Sequence, residues 1–95
     1  MQTRRLEGRT AVIVGAGQTA GETMGNGRAT AVTFAREGAR LLLVDKDTSS
    51  LKETAAQCRD HAADVETLIV DIATAAGPAK VVHAGRERFG GFDIL

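Results

Sequence analysis

Cysteine, proline and aromatic residues are scarce in this chain, which also has no excess of charge and no long apolar run. Its single cysteine cannot form an internal disulfide bond, which favours a reducing, cytoplasmic setting. No stretch approaches the ~18 apolar residues of a membrane-spanning helix, and the N-terminus lacks the apolar core of a signal peptide. Lys and Arg together number 12, as do Asp and Glu. This scattered balance gives no basis for binding nucleic acid or an anionic membrane.

Three short apolar runs predict the strands of a sheet. They cover Thr10–Val14, Arg40–Val44 and Val65–Val70, and a fourth strand is predicted to begin at Phe92–Leu95. Apolar runs without alternation are typical of strands buried on both faces, as in a parallel sheet. With 43% apolar residues, the 95-residue chain is long enough for one domain but not for a complete doubly wound one.

Helical patterns separate these runs and predict the order βαβαβαβ, an α/β fold with right-handed crossovers. The predicted helices cover Arg28–Gly38, about Leu51–Ala62, and Pro78 to about Phe89. Before the second helix, Ser50 and Glu53 have the spacing of a capping box. The predicted buried stripes consist of Leu51, Ala55, Cys58 and Ala62 in the second helix, and of Val82, Gly85 and Phe89 in the third.

A glycine-dense loop, Gly15–Gly27, joins the first strand to the first helix. Its first six residues fit G-x-G-x-x-A, which would start the helix near Gln18. That helix would carry three glycines in its interior at ~1 kcal/mol each relative to alanine, so we reject this alignment. In the other alignment the loop continues to Gly27 and the helix begins near Arg28. Strand, loop and helix then predict a turn whose backbone N–H groups approach a pyrophosphate at the helix N-terminus.

Asp45 follows the second strand, 18 residues beyond Gly27. In dinucleotide-binding folds a carboxylate ~20 residues after the last glycine holds the ribose hydroxyls. Such a carboxylate would repel a 2′-phosphate, so NAD is favoured over NADP, although Lys46 weakens that preference. The alternative for Asp45 is a solvated turn residue. We therefore interpret residues 1–95 as a single, partial dinucleotide-binding domain of Rossmann type.

From Leu6 to Leu95 the chain resembles the N-terminal part of the short-chain dehydrogenase/reductase family. The stretch from Gly27 to Ala39 is especially similar to the first helix and turn of that family. Three glycines match its T-G-x-x-x-G-x-G motif, and three later residues match its cofactor contacts. These are Gly15, Gly25 and Gly27 for the motif, Asp45 for the ribose acid, and Asp71 with Ile72 for the pair that contacts the adenine ring.

The chain departs from the family pattern at three points. Val14 replaces the usual threonine, and Asn26 replaces the usual aliphatic residue between the last two glycines. Gly25 follows Gly15 by ten positions where the motif has four, which is an insertion of six residues. A subset of the family resembles this chain in carrying an extended loop, so we interpret the insertion as a variant of the motif.

The resemblance implies that a complete relative transfers a hydride between NAD(H) and a small alcohol or carbonyl substrate, and allows an oligomeric assembly. Together with Gly17 and Asn26 of the glycine loop, the matching residues give the cofactor-binding residues that we expect: Gly15, Gly17, Gly25, Asn26, Gly27, Asp45, Asp71 and Ile72. Asp71 has the alternative of a simple turn residue at a strand end. No metal site is expected, because His61 and His83 lack ligand spacing.

The family's catalytic serine, tyrosine, lysine and asparagine lie downstream of the region that this chain resembles. The chain contains no tyrosine, and its only serines, Ser49 and Ser50, are explained by a helix start. We therefore expect no catalytic residue in this chain, no activity from it alone, and an origin as a truncated or fragmentary gene product. A non-catalytic nucleotide-binding or interaction module is the competing interpretation.

Overall fold

The computed structural model describes residues 6–17, 26–61 and 63–91. Within them, three strands alternate with three helices, which confirms the predicted α/β order up to the third helix. The fourth predicted strand, at residues 92–95, lies outside the described residues. The elements are β1 (Thr10–Val14), α1 (Asn26–Arg36), β2 (Arg40–Asp45), α2 (Thr48–Arg59), β3 (Val65–Ile69) and α3 (Gly77–Phe89).

The three strands form a parallel sheet in the order β1-β2-β3, with β2 in the centre. Leu43 of β2 lies opposite Ile13 of β1 and Thr67 of β3. The four residues Leu41–Val44 are buried, which confirms the prediction of a strand covered on both faces. For β3 that prediction is wrong: Ile69 is 47% exposed, because β3 pairs only with β2 among the described residues.

Successive side chains of the sheet alternate between two apolar clusters, one on each face. Ala11, Leu41 and Leu43 pack with residues of α1 and α2. Leu42 and Val44 pack with residues of α3 instead. The helices therefore cover both faces of the sheet, α1 and α2 on one and α3 on the other, as in a Rossmann-type fold.

The second helix begins earlier than its sequence pattern predicts. α2 starts at Thr48, and its N-cap is Asp47, whose Oδ1 accepts a hydrogen bond from the Ser50 N–H at 3.0 Å. The predicted capping box of Ser50 and Glu53 is therefore wrong, because Asp47 already has the extended backbone of a cap three residues earlier. Ser50 lies in the first turn and is buried. The predicted stripe of Leu51, Ala55 and Cys58 is buried as expected, while residue 62 lies outside the described residues.

The third helix faces the sheet with a different stripe from the predicted one. Gly77, Val81, Ala84 and Gly85 are buried, whereas Val82 is 39% exposed. These four residues have the spacing i, i+4, i+7 and i+8, which places them on one face of the helix, and Gly85 belongs to both the predicted and the observed stripe. Phe89, predicted on the inner side, is partly buried against the cluster.

Candidate functional site

The three parallel strands end at one edge of the sheet, and backbone hydrogen bonds tie the segments that follow them. The Gly15 and Ala16 N–H groups both donate to the Val44 carbonyl, at 2.8 and 3.1 Å. The Val70 N–H donates to the Asp45 carbonyl at 3.0 Å. The ends of neighbouring strands are thereby held side by side, where ligands bind in open α/β sheets.

A cleft of about 210 Å³ opens at this edge. It is smaller than the ~300–1,000 Å³ of sites that enclose a drug-sized ligand, so it has room for one part of a larger molecule. Four of the residues predicted to bind a cofactor lie on its wall, namely Gly15, Asp45, Asp71 and Ile72. The remaining lining residues are Val14, Val44, Lys46 and Val70.

Both oxygens of the Asp45 carboxylate accept backbone hydrogen bonds. Oδ2 accepts from the Gly17 N–H at 2.8 Å, and Oδ1 accepts from the Asp47 N–H at 3.0 Å. The side chain is half-buried and therefore has a fixed direction at the mouth of the glycine loop. An ionised carboxylate has about four lone-pair sites, so these two bonds leave acceptor capacity for a ligand.

A side chain on Gly17 would displace the side chains of Ser50 and Asp45. A Cβ atom on Gly17 would lie 2.6 Å from Ser50 Oγ and 2.9 Å from Asp45 Oδ2. Its N–H is directed at Asp45, and the Gly15 N–H is directed at Val44. These two amides therefore bond within the protein, which differs from the expectation that loop glycines turn their N–H groups to the pyrophosphate.

The N-terminus of α1 packs directly on the start of the glycine loop. A Cβ atom on Gly27 would overlap the Gly15 carbonyl oxygen, so glycine is required for this approach. The helix begins at Asn26, two residues before the predicted start, which places Asn26 and Gly27 in the first turn. First-turn N–H groups lack partners within the helix and carry its positive end. Gly25 and the other residues from 18 to 25 lie outside the described residues.

Asp71 and Ile72 form a turn after β3. The Asp71 Oδ1 accepts from the Ala73 N–H at 2.9 Å, and the Asp71 carbonyl accepts from the Thr74 hydroxyl at 2.8 Å. Asp71 therefore has the structural role that the sequence left open as its alternative, and it also faces the cleft. Ile72 is 39% exposed and adds apolar surface to the same wall.

A buried arginine behind the site escaped the sequence analysis. Arg28 is 6% exposed, and its Nε donates to Thr54 Oγ1 at 2.8 Å. Its Nη2 donates to the Ser50 carbonyl at 3.0 Å and contacts Glu53 Oε2 at 3.2 Å. The Thr54 hydroxyl donates in turn to the Ala16 carbonyl at 2.7 Å. We call these contacts the Arg28 network; its signal in the sequence is a basic residue in the first turn of a helix, where the dipole disfavours it.

Other groups that carry reactive or ligating side chains have structural explanations. Cys58 is fully buried, and burial raises the pKa of its thiol to about 11 while the Arg59 charge opposes that rise. His83 Nε2 lies 3.3 Å from Glu87 Oε2 on the exposed side of α3. In the described part of the chain, no three His, Cys, Asp or Glu side chains come together as a metal site. No helix there is long and apolar enough to cross a membrane.

A parallel sheet with helices on both faces, a glycine loop against a helix N-terminus, and a carboxylate on the next strand together define a dinucleotide-binding fold of Rossmann type. Residues 9–95 match the model of the short chain dehydrogenase family. The chain belongs to this family.

Named relatives are oxidoreductases, and the chain spans about a third of their length. It is 42% identical over 92 residues to 1,6-dihydroxycyclohexa-2,4-diene-1-carboxylate dehydrogenase from Pseudomonas putida, covering 97% of this chain and 31% of that protein. L-Sorbose reductase from Gluconobacter frateurii, solved with NADPH and L-sorbose, is 35% identical with a TM-score of 0.84, covering 99% of this chain and 34% of that one. Carveol dehydrogenase from Mycobacterium avium, solved with NAD, is 29% identical with a TM-score of 0.80, and the match covers 95% of this chain and 35% of that one.

Proposed function

We propose that this chain is the NAD-binding part of an oxidoreductase that, when complete, transfers a hydride between NAD(H) and a small alcohol or carbonyl compound. The observation that carries the proposal is the Asp45 carboxylate, which is fixed at the cleft by the Gly17 and Asp47 N–H groups. Family membership supports the reaction class, and the bound NAD and NADPH of two structural neighbours support the cofactor class. A cytoplasmic location remains a prediction from composition.

Each predicted site residue has a role in this proposal. Asp45 accepts hydrogen bonds from the adenosine ribose, and the cleft beside Asp71 and Ile72 receives the adenine ring. The first turn of α1, at Asn26 and Gly27, faces the pyrophosphate with its positive end. Gly15 and Gly17 act by bringing the backbone close to that turn and to Asp45, and Gly25 is assigned by the motif alone.

The choice of NAD over NADP follows from the same carboxylate. A 2′-phosphate would lie against the negative charge of Asp45 and would lose the hydrogen bonds of the 2′-hydroxyl. Lys46 is exposed next to it and reduces this repulsion through solvent, where a single charge has a small effect. We therefore expect tighter binding of NAD, with NADP as a weaker ligand.

Substitutions of Asp45 test this assignment through the dissociation constants of NAD and NADP. Asp45→Ala removes both the ribose acceptor and the partner of the Gly17 N–H, and charge-assisted hydrogen bonds contribute ~1.5–3 kcal/mol, so NAD should bind at least ~10-fold more weakly. Asp45→Asn keeps an acceptor for Gly17 and removes the charge, so the ratio of NADP to NAD affinity should rise. Asp64→Ala, an exposed carboxylate before β3, is the control. Unchanged NAD affinity in both Asp45 variants would remove this residue from the site.

The chain alone is expected to give no turnover, because no tyrosine is present to exchange a proton with the substrate oxygen. NAD(H)-dependent turnover of simple alcohols, measured by absorbance of the reduced cofactor, checks this expectation, and robust activity would contradict it. Sequencing the gene beyond codon 95 separates the oxidoreductase from a non-catalytic nucleotide-binding or interaction module. The proposal expects an in-frame Tyr-x-x-x-Lys further along, and its absence would favour the module.

A further inference from the structure

The Arg28 network joins the start of α1 to the start of α2 and reaches the glycine loop at two points. At the first point, Thr54 accepts from the Arg28 Nε at 2.8 Å and donates to the Ala16 carbonyl at 2.7 Å. Thr54 is fully buried and Arg28 is 6% exposed, so water does not replace these bonds readily. The position of the loop at Ala16 therefore depends on the Arg28 guanidinium, which is linked to it through the Thr54 hydroxyl.

At the second point, the guanidinium holds Ser50 against Gly17. Arg28 Nη2 donates to the Ser50 carbonyl at 3.0 Å and approaches its hydroxyl at 3.5 Å. The Ser50 hydroxyl lies where a side chain on Gly17 would be. On the other side of Gly17 is Asp45, which accepts its N–H at 2.8 Å. Gly17 is thus confined between a wall that Arg28 supports and the carboxylate assigned to the ribose.

Stability alone does not account for a buried guanidinium at this place. The first turn of a helix has positive potential, which disfavours a cation by a few tenths of a kcal/mol or more. The Glu53 side chain in the ion pair is 68% exposed, so solvent screens most of that attraction. An apolar side chain of similar volume is often as stabilising as a buried ion pair. The planar fork of arginine is what allows one side chain to bond Thr54 and Ser50 together.

We propose that Arg28 is a positioning residue of the nucleotide site: by holding Thr54 and Ser50, it keeps the Gly17 N–H bonded to Asp45. This inference rests on the proposed function, because it explains how the ribose-binding carboxylate keeps one direction. Without the guanidinium the loop moves, Asp45 loses a fixed donor, and its carboxylate rotates more freely. The preference for NAD over NADP then declines, in addition to any loss of affinity for both.

Two variants of Arg28 and one control test the proposal. Arg28→Met removes the charge and the donors, whereas Arg28→Lys keeps the charge but cannot bond Thr54 and Ser50 as a fork. Cys58→Ala, in the apolar core of α2, destabilises the same face without touching the network. The first readout is the ratio of the NADP and NAD dissociation constants. Partial unfolding weakens both affinities by the same factor, so this ratio is independent of the folded fraction.

The ratio of the NADP to the NAD dissociation constant should fall on the order of fivefold in both Arg28 variants, within the range for contacting residues of one network. It should not change in Cys58→Ala. If Arg28 acted only as a charge near the ligand, Arg28→Met would weaken NADP more than NAD, because NADP carries the additional phosphate, and Arg28→Lys would behave as wild type. Either of those results would overturn the proposal.

The second readout needs no ligand and separates the positioning role from the proposed function. Hydrogen exchange of the Gly17 amide, measured by NMR, reports local opening of the Gly17–Asp45 bond, and exchange of the Leu42 amide in the central strand reports global stability separately. Protection of Gly17 should fall at least ~10-fold in both Arg28 variants and stay unchanged in Cys58→Ala. If wild type binds neither nucleotide, the proposed function fails, but this loss of protection would still support positioning. Unchanged protection in Arg28→Lys and Arg28→Met would overturn it.

Discussion

The two faces of the sheet are built differently although they share the same three strands. The face covered by α1 and α2 has a large, fully buried apolar cluster and the Arg28 network beside it. The face covered by α3 has a smaller cluster of five buried residues, and partly buried apolar side chains pack against both clusters. The comparison shows that the side on which the glycine loop lies is also the side with the larger buried apolar cluster, which suits a site whose contacts need fixed directions.

Substitutions of Leu42 and Leu43 in β2 give the most direct comparison of the two faces, because both side chains are fully buried and they point to opposite faces of the sheet. Leu43→Ala, toward α1 and α2, should lower the free energy of unfolding by about 4 kcal/mol, since tight surroundings cannot close the cavity. Leu42→Ala, toward α3, should cost about 2–3 kcal/mol, because the smaller cluster places fewer buried side chains around the cavity and a single helix covers it. Urea denaturation measures both values. Equal losses, or a larger loss for Leu42→Ala, would refute the difference between the faces.

The starts of α1 and α3 extend the comparison to two glycines. In Gly27→Ala the new methyl group overlaps the Gly15 carbonyl, and both backbones are held, so we expect a loss of about 3 kcal/mol and weakened NAD binding. In Gly77→Ala the methyl group would lie 2.6 Å from the Asp71 carbonyl oxygen and 2.9 Å from Ile72 Cα, so the overlap is smaller than at Gly27 and the exposed turn has to shift less. A loss of only about 1–2 kcal/mol is expected there. The same urea titrations decide this, and a milder effect at Gly27 would contradict it.

The thiol of Cys58 tests whether water is excluded from the buried cluster on the α1 and α2 face. Burial raises its pKa from 9.0 to about 11, with the Arg59 charge opposing the rise. Below pH 9 the thiol is protonated in both states and does not change stability. Between pH 9 and 11 the unfolded chain loses a proton that the folded chain keeps, so the free energy of unfolding falls by about 2–3 kcal/mol. Unfolding at several pH values measures the fall, and Cys58→Ala should lack this component; identical pH profiles would show that the core admits water.

Substitutions at the N-caps of α2 and α3 should give the smallest difference in stability between the two faces. Asp47→Ala removes the side-chain cap of α2 and should cost about 1 kcal/mol, measured by thermal unfolding. The corresponding residue of α3 is Ala76, which has no side-chain cap and a helical backbone rather than an extended one. Ala76→Asp should therefore gain at most about 0.5 kcal/mol, from the helix dipole alone. A gain as large as the loss at Asp47 would mean that α3 can adopt the same cap geometry.

Sequence patterns predicted the elements well where one signal dominated. The continuous apolar run at Leu41–Val44 identified the central strand. Rejecting a helix start near Gln18 gave a predicted start of α1 at Arg28, two residues after the observed start at Asn26. Two competing cap signals misplaced the start of α2, because Asp47 and Ser50 both suit a cap and only tertiary packing selects one. The exposure of Ile69 was not predictable, since an edge strand and a central strand have the same apolar composition.

The candidate site was predictable in its composition but not in its internal bonding. Spacing placed Gly15 and Asp45 together, and both line the cleft. The bond between Gly17 and Asp45 joins residues 28 positions apart, and no local pattern indicates it. Arg28 had only one signal in the sequence, a basic residue in the first turn of a helix. Its burial depends on partners that lie on another helix, which no local pattern indicates.

The double hydrogen bond to the Val44 carbonyl and the bond from Gly17 to Asp45 anchor the chain up to residue 17, and the contact of Gly27 with Gly15 anchors it again where α1 begins. The six additional residues of the motif fall between these anchors. Lengthening a segment whose ends are already fixed costs little entropy, on the order of 0.6 kcal/mol per doubling. Evolution or a designer can therefore vary the length of this segment, and graft new residues into it, with little effect on the backbone contacts of Gly15, Gly17 and Gly27 on either side.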